Sequence, residues 1–568
     1  MRHQRSTRPW LPPAVLAIIL LGIVLRAHGL ERLGLVGDEL EDLSIASGII
    51  HQPNPFAAGA GMESAAMDQG RLPHYSAAAA WRLSRGNGMD AARALSIVWA
   101  ALTLAALFAL GRELFGPAAG LLALGFLAIS LYDAGFSRFG MTTGSGLFTA
   151  LLLASLLAWW RADRTGRAAW YWVAGQAIGL SIAAKLFGVF TLWLIGAWLW
   201  CWPPEILSRS WSPRPRTPAV RTLLAWTLAG LGVFAGLAVA RLDPRLELMC
   251  FTATALAVLA AHAAVVARGT ATVRGETRGA AGFLIGSLAV LWFFIGSPVH
   301  LDLGRLLAVP RVLPEWHNAA YGDSSLWTFA GILLVRLNAP FNALWIGAFI
   351  FCIARRREAR YRLLLLAFGI PFTMLSLARF KVTWYLAMVF PVCYLMIAAA
   401  LLEGWRRLRL GPRVLQGLAA GALLVGAGWY ARQWVTLYPY YEMDGYRLGL
   451  SAIGWNRPSF VTFEALPDVA AWIDTHAPDG GEVACLLVGL PKYNRYATDH
   501  LTIYRRNPGV RYRPAGSVND LGAARFVLTT LYTQALEPSL EAAGYERRET
   551  FRLKELPVGA VYARRSVP

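Results

Sequence analysis

The stretch LGRELFGPAAGLLALGFLAISLYDAGFSRFGM, residues 110–141, decides the fold class. Its apolar run over 117–136 is close to the ~20 residues that a helix needs to cross the hydrocarbon core of a bilayer. Asp133 and Arg138 fall at one end of that run. The same pattern recurs in both directions along the chain. About thirteen apolar spans of bilayer length can be read, at 11–27, 91–110, 117–136, 142–160, 170–184, 186–203, 222–240, 246–267, 280–297, 338–354, 362–378, 384–402 and 414–431. The expectation is a polytopic α-helical membrane protein.

Composition supports that reading and excludes others. The 568 residues are 56% hydrophobic and 15% charged, against about 25% charged in ordinary soluble domains. Disorder is excluded because the chain has ample apolar surface to bury. A net charge of +20 invites a nucleic-acid partner, but the basic residues form short clusters between apolar runs, so none is expected. With the N-terminus cytoplasmic, the clusters Arg2–Arg8, Arg161–Arg167, Arg209–Arg221, Arg268–Arg278, Arg355–Arg362 and Arg406–Arg413 all fall inside. The charge therefore reports orientation. Arg26 stands at the end of the first span, and no small-residue cleavage site follows it, so that span reads as an anchor and not as a cleaved signal.

Three segments on the outer side are too long to be simple connectors: 28–90, 298–337 and 432–568. The expected division is thus a membrane domain over 1–431 and a small extracytoplasmic α/β domain over 432–568. In the latter, strand-like EVACLLVGL (482–490) and ARFVLTTLY (524–532) alternate with the helical LPDVAAWIDTHAPDGG (466–481). No phosphate-binding glycine loop occurs there, so no nucleotide is expected. Cys201, Cys250, Cys352, Cys393 and Cys485 are too scattered for a disulfide framework or a metal site.

Ionisable residues in apolar segments are expensive, which makes them functional candidates. Asp133, Arg138, Lys185, Arg379 and Lys381 all lie near outer ends of spans, and Lys185 and Lys381 are two of only four lysines in the protein. Cations snorkelling to the interface would explain any one of them; together they suggest a site for an anionic group such as a lipid phosphate. The first outer segment supplies the complementary chemistry. In ERLGLVGDELEDLSIASGII (31–50), Asp38 stands where a helix N-terminus favours an ionised carboxylate, with Glu39 beside it. A carboxylate near a membrane-surface phosphate can act as general base toward an acceptor hydroxyl; a solvated helix cap is the plainer alternative. The loop PEWHNAAYGDSSLW (314–327) gathers His317, Tyr321 and Asp323, either an interfacial aromatic loop or a flap over a substrate.

Several of these segments, in this order, resemble the GT-C glycosyltransferases, in particular the branch with protein O-mannosyltransferases and the lipid A aminoarabinose transferase. VGDELEDLSIASGI (36–49) resembles the first-loop Asp-Glu motif of that family. GRLPHYSAAAAWRL (70–83) and GNGMDAARALS (86–96) resemble the segment that follows it. LGRELFGPAAGLLALGFLAISLYDAGFSRFGM resembles the next two spans with their Ser-Arg turn, GLSIAAKLFG (179–188) the Gly-Leu…Lys element, and KVTWYLAMVFP (381–391) the late Lys…Tyr…Pro element. The resemblance implies a polyprenyl-phosphate-linked sugar as donor and transfer at the outer face of the plasma membrane, while four lysines against many Arg, with much Ala, Leu and Gly, suggest a bacterial source. It implies that Asp38, with Glu39, is the catalytic base or acceptor-orienting carboxylate. Lys185, Arg379, Lys381 and Arg138 would hold the lipid phosphate, and Asp133, His317, Tyr321, Asp323 and Tyr385 are candidates for substrate contact.

Fixed cations can stabilise the charge of a departing phosphate, and one base on the opposite face of the sugar gives inversion. The sequence departs from the family at Thr143, where relatives often carry an Asp in the span after the Ser-Arg turn. With Asp133 the one nearby second-loop carboxylate, no metal or other cofactor is expected. The partners expected are the lipid-linked donor, membrane lipids, and a protein, glycolipid or polysaccharide acceptor. A transporter or flippase of a lipid-linked sugar is the alternative, since the same cations would serve it.

Overall fold

The computed structural model describes residues 11–30, 37–51, 72–84, 88–140, 145–165, 167–200, 327–377, 383–408, 413–437, 466–486, 498, 501, 506–530, 533, 536–553 and 556–565. They form a helical body and a small sheet. The chain divides into two compact units: Met1–Ala27 with Ile45–Val435, and His28–Ser44 with Thr436–Pro568.

The first unit is built of helices α1 (Leu11–Ala27), α3 (Leu72–Ser84), α4 (Gly88–Phe115), α5 (Pro117–Ala128), α6 (Leu131–Phe136), α7 (Ser145–Thr165), α8 (Ala168–Ala184), α9 (Val189–Trp200), α10 (Thr328–Ala354), α11 (Ala359–Leu377), α12 (Phe390–Leu408) and α13 (Arg413–Leu437). Of helix α2 (Gly37–His51), the residues up to Ser44 group with the second unit and those from Ile45 with the first. Among the described residues, two helical stretches are long and apolar enough to cross a membrane, Gly88–Phe115 and Tyr385–Arg407. The spans read at 222–240, 246–267 and 280–297 lie outside the described residues.

Where the helices differ from the apolar runs, the reason is local. The run at 117–136 is two helices, because the chain breaks at Ile129–Ser130 and Ser130 caps α6, its hydroxyl accepting from the Asp133 amide at 3.3 Å. The run at 384–402 opens as a 3-10 turn, Thr383–Met388, before α12 begins. Helix α10 starts at Thr328, so the last ten residues of the expected 298–337 connector are helical. Apolarity marks what is buried or lipid-facing; it does not mark where the backbone turns.

Helices α4 and α5 meet at glycines. A Cβ on Gly120 would sit 2.7 Å from the Phe108 carbonyl oxygen, and one on Gly111 would sit 2.9 Å from the Gly120 Cα. Small residues allow this backbone approach, as at helix contacts in membranes generally. Gly120→Val is expected to force the two helices apart and to cost about 1–3 kcal/mol, read as a lowered unfolding midpoint in detergent. An unchanged midpoint would show that the contact is dispensable.

The sheet of the second unit comprises β1 (Gly481–Leu486), β2 (Val510–Pro514), β3 (Phe526–Thr530), β4 (Tyr545–Leu553) and β5 (Leu556–Arg564), in the order β2-β1-β3-β5-β4. β1 pairs in parallel with β2 and β3, and β5 pairs antiparallel with β3 and β4. Alternation sorts the side chains onto two faces. Val483, Cys485, Phe526 and Leu528 join Leu466, Val469, Ala470 and Ile473 of α14 (Leu466–His476) in one core. Those four positions of α14 have helical spacing, which is why one stripe is buried. Ala484, Leu486 and Val527 join Leu540 of α15 (Glu537–Ala542) in the other core.

Burial pushes the Cys485 thiol up to about 12, and it raises the Tyr545 and Tyr562 hydroxyls as well. Between the free-thiol value of 9.0 and about 12 the unfolded chain has released the Cys485 proton and the native one has not. Native binding of that proton makes stability fall with rising pH across this window, by up to about 1.4 kcal/mol per pH unit for the one group. The C-terminal unit is therefore expected to lose unfolding free energy above pH ~9, and Cys485→Ala to flatten that slope. A slope unchanged by the substitution would contradict the assignment.

Candidate functional site

Arg26 closes α1 and is fully buried. Every one of its five N–H bonds has an acceptor. Nε donates to Ser137 Oγ at 2.9 Å. Nη1 donates to the carbonyls of Gly22 at 2.9 Å and Ala128 at 3.0 Å. Nη2 donates to the Leu127 carbonyl at 3.1 Å and to Asp133 Oδ2 at 2.5 Å. Leu127 and Ala128 end α5 and Asp133 lies in the first turn of α6, so one guanidinium meets the carbonyl end of one helix and the acidic start of the next. Both contacts suit the charges of those helix ends.

Aromatic side chains hold the same break. Tyr430 Oη accepts from the Leu131 amide at 2.8 Å, Tyr394 Oη donates to Ser130 Oγ at 2.9 Å, and Trp434 Nε1 donates to the Ile129 carbonyl at 2.7 Å. The Tyr132 ring of α6 stacks on Phe390 at 4.1 Å. Arg138, one residue beyond Ser137, is fully buried. This is the Ser-Arg turn that the sequence singled out.

A second chain break carries Lys185. Helix α8 ends there, Lys185 is extended, and the turn Leu186–Gly188 leads into α9. Gly188 makes the turn feasible, since a Cβ there would lie 2.4 Å from the Ile182 nitrogen. The Lys185 side chain is 4% exposed. Its ammonium lies 4.4 Å from the Tyr385 ring centroid and 5.4 Å from that of Phe187, and those two rings meet edge to face at 4.7 Å. A cation over ring faces in a desolvated setting is favourable by about 2 kcal/mol.

Two candidates far apart in sequence, Lys185 and Tyr385, are thus in contact. Tyr385 belongs to the turn Thr383–Met388, against which α6 also packs. The breaks at the end of α5, at the end of α8 and before α12 therefore converge in one region of the first unit. Arg379 and Lys381 precede the third break in sequence and lie outside the described residues, as do His317, Tyr321, Asp323 and Thr143.

In the second unit, Gly37, Asp38 and Glu39 open α2, so Asp38 has the helix-start position expected of it. Glu39 is fully buried, and so is Asp42, three residues on. Buried carboxylates are uncommon. Asp42 escaped the sequence reading, although its i,i+3 spacing from Glu39 places both on one helix face. Arg26 escaped it too, read there only as a residue that ends a span. Among the described residues, no group of three or more His, Cys, Asp and Glu side chains gathers where a metal ion could be held.

Comparisons with known proteins add a family match. No curated protein matches this sequence. Among solved structures, the oligosaccharyltransferase AglB of Archaeoglobus fulgidus, in complex with an inhibitory peptide and a dolichol-phosphate, is 15% identical, with 98% of this chain and 75% of that chain covered and a TM-score of 0.49. ArnT of Cupriavidus metallidurans, bound to undecaprenyl phosphate, is 14% identical over 98% of both chains, with a TM-score of 0.48. The protein O-mannosyltransferase Pmt1-Pmt2 complex of S. cerevisiae, bound to the sugar donor, is 14% identical over 50% of this chain and 33% of that one, with a TM-score of 0.32. These proteins and the matching family all fall in the GT-C superfamily, whose likeness the sequence carries. Residues 68–211, which contain Asp133, Ser137, Arg138 and Lys185, match the dolichyl-phosphate-mannose-protein mannosyltransferase family.

Proposed function

We propose that this protein is a membrane glycosyltransferase that takes a sugar from a polyprenyl-phosphate carrier and transfers it, with inversion, to an acceptor at the outer face of a bacterial plasma membrane. The observation that carries the reading is the buried Lys185, within the family-matched segment, set over the ring of Tyr385. An ammonium is a compact point charge on a flexible stem and suits a phosphate oxygen. Its aromatic neighbours hold the ammonium in place, 4.4 Å from the Tyr385 ring centroid and 5.4 Å from that of Phe187. Arg138, Arg379 and Lys381 add positive charge for the same phosphate, and they stabilise it as it departs with the bonding electrons of the sugar–oxygen bond. Asp38 takes the proton of the acceptor hydroxyl, with Glu39 supporting it. His317, Tyr321 and Asp323 are assigned to a loop over the donor.

The acceptor is a protein, glycolipid or polysaccharide hydroxyl. Neither a divalent metal nor another cofactor enters this scheme. Purified protein in detergent, given a polyprenyl-phosphate sugar and candidate acceptors, is expected to release polyprenyl phosphate and glycosylated acceptor at a rate that EDTA does not change. Turnover in detergent, where there is no second compartment, excludes pure transport of the lipid-linked sugar. Binding of the donor without turnover for any acceptor would favour the transporter reading.

A further inference from the structure

Arg26 and Asp133 form a buried ion pair that no substrate contact is needed to explain. Such pairs are a poor way to gain stability: desolvation offsets most of the attraction, and apolar replacements of similar volume are often as stable or more so. What this pair does supply is geometry. The guanidinium grips both sides of the break at Ile129–Ser130, through the Leu127 and Ala128 carbonyls on one side and Asp133 on the other. It also holds the far end of α6, where Ser137 Oγ accepts from Nε and itself donates to the Asp133 carbonyl at 2.5 Å. The next residue is Arg138, and α6 packs on the turn that carries Tyr385.

We infer that the Arg26–Asp133 pair is a positioning device for the lipid-phosphate site, fixing α6 and with it Arg138 relative to the Tyr385–Lys185 contact. Arg26 and Asp133 are positioning residues, not ligands of the phosphate. The inference rests on the proposed lipid-phosphate reading and names the part of the fold that sets its geometry. It also gives Asp133 a role other than metal or substrate ligand: its Oδ2 is taken by Arg26.

The test measures binding of undecaprenyl phosphate to the full-length protein in detergent, with undecaprenol as the uncharged control. Wild type is expected to bind the phosphate and not the alcohol; equal binding of both would sink the lipid-phosphate reading and this inference with it. Given that preference, Arg26→Lys, with three donors in place of five, and Asp133→Asn are each expected to weaken undecaprenyl phosphate binding about tenfold or more, with undecaprenol unaffected. The double variant should be no worse than the weaker single, because both remove one interaction. Additive losses, or undiminished affinity in Arg26→Lys, would overturn the inference while leaving the lipid-phosphate reading in place. The pair Arg26→Met with Asp133→Leu separates positioning from stability: it is expected to unfold at or above the wild-type midpoint and still to bind the phosphate weakly. Wild-type affinity in that variant would show the pair has no positioning role. Should Arg26→Lys not fold, Ser137→Ala removes one acceptor of Arg26 and one donor to Asp133, and a severalfold loss of affinity is expected from it; no loss would count against the inference.

Discussion

Asp38→Asn is expected to lower the rate of sugar transfer by roughly 10²–10⁴-fold while the protein still inserts and folds. The asparagine keeps size and hydrogen-bonding capacity at the start of α2 but cannot accept a proton from an acceptor hydroxyl. Asp38 is at a helix start, where its charge is favoured electrostatically, so its neutral replacement should cost only about 0.3–1 kcal/mol of stability. Turnover of a polyprenyl-phosphate sugar and the unfolding midpoint are both to be measured on purified variant. Loss of transfer with an intact midpoint fits a catalytic base. Transfer within a few fold of wild type would remove Asp38 from the mechanism and leave its carboxylate as a helix cap.

Lys185 carries the second large effect. Lys185→Met preserves the stem that packs by Phe187 and Tyr385 and deletes only the charge. If the ammonium holds the donor phosphate, the loss is that of a hydrogen bond between charged groups, about 1.5–3 kcal/mol, or roughly 10–150-fold in transition-state stabilisation. The effect should be seen as a raised KM for the lipid-linked donor, with the acceptor KM unchanged. Lys185→Arg is expected to rescue only partly, because a planar fork does not replace a point charge between two rings that are themselves 4.7 Å apart. Tyr385→Leu should shift donor KM in the same direction but less, since it removes the ring under the ammonium and not the ammonium itself. Donor KM unaffected by Lys185→Met would withdraw the proposed phosphate role.

Much of the helical layout was legible in the sequence. The runs at 11–27, 91–110, 170–184, 362–378 and 414–431 correspond to helices Leu11–Ala27, Gly88–Phe115, Ala168–Ala184, Ala359–Leu377 and Arg413–Leu437. The two strand-like runs of the C-terminal part are β1 and β3, and LPDVAAWIDTH is α14. Breaks inside apolar runs were harder to see. Nothing in the hydropathy of LALGFLAISLYDAG marks the turn at Ser130, because a serine that caps a helix and a serine inside one look alike in composition. The break at Lys185 was legible, since a lysine amid apolar residues is itself a signal.

The sequence by itself determined that the chain carries long apolar helices, with a small α/β unit in its C-terminal part. A helix bonds its backbone groups within its own segment, so an apolar run long enough for one leaves its mark locally. It also marked which ionisable residues are out of place: Asp133, Arg138, Lys185. Only the tertiary structure decided what each of them meets. Arg26 and Asp133 are 107 positions apart, and Lys185 and Tyr385 are farther still, so no local periodicity relates them. Which carboxylate answers a buried cation depends on how helices pack. That is why Asp133 read from sequence as a candidate substrate group, and in the folded chain is the partner of an arginine that had seemed only to end the first span.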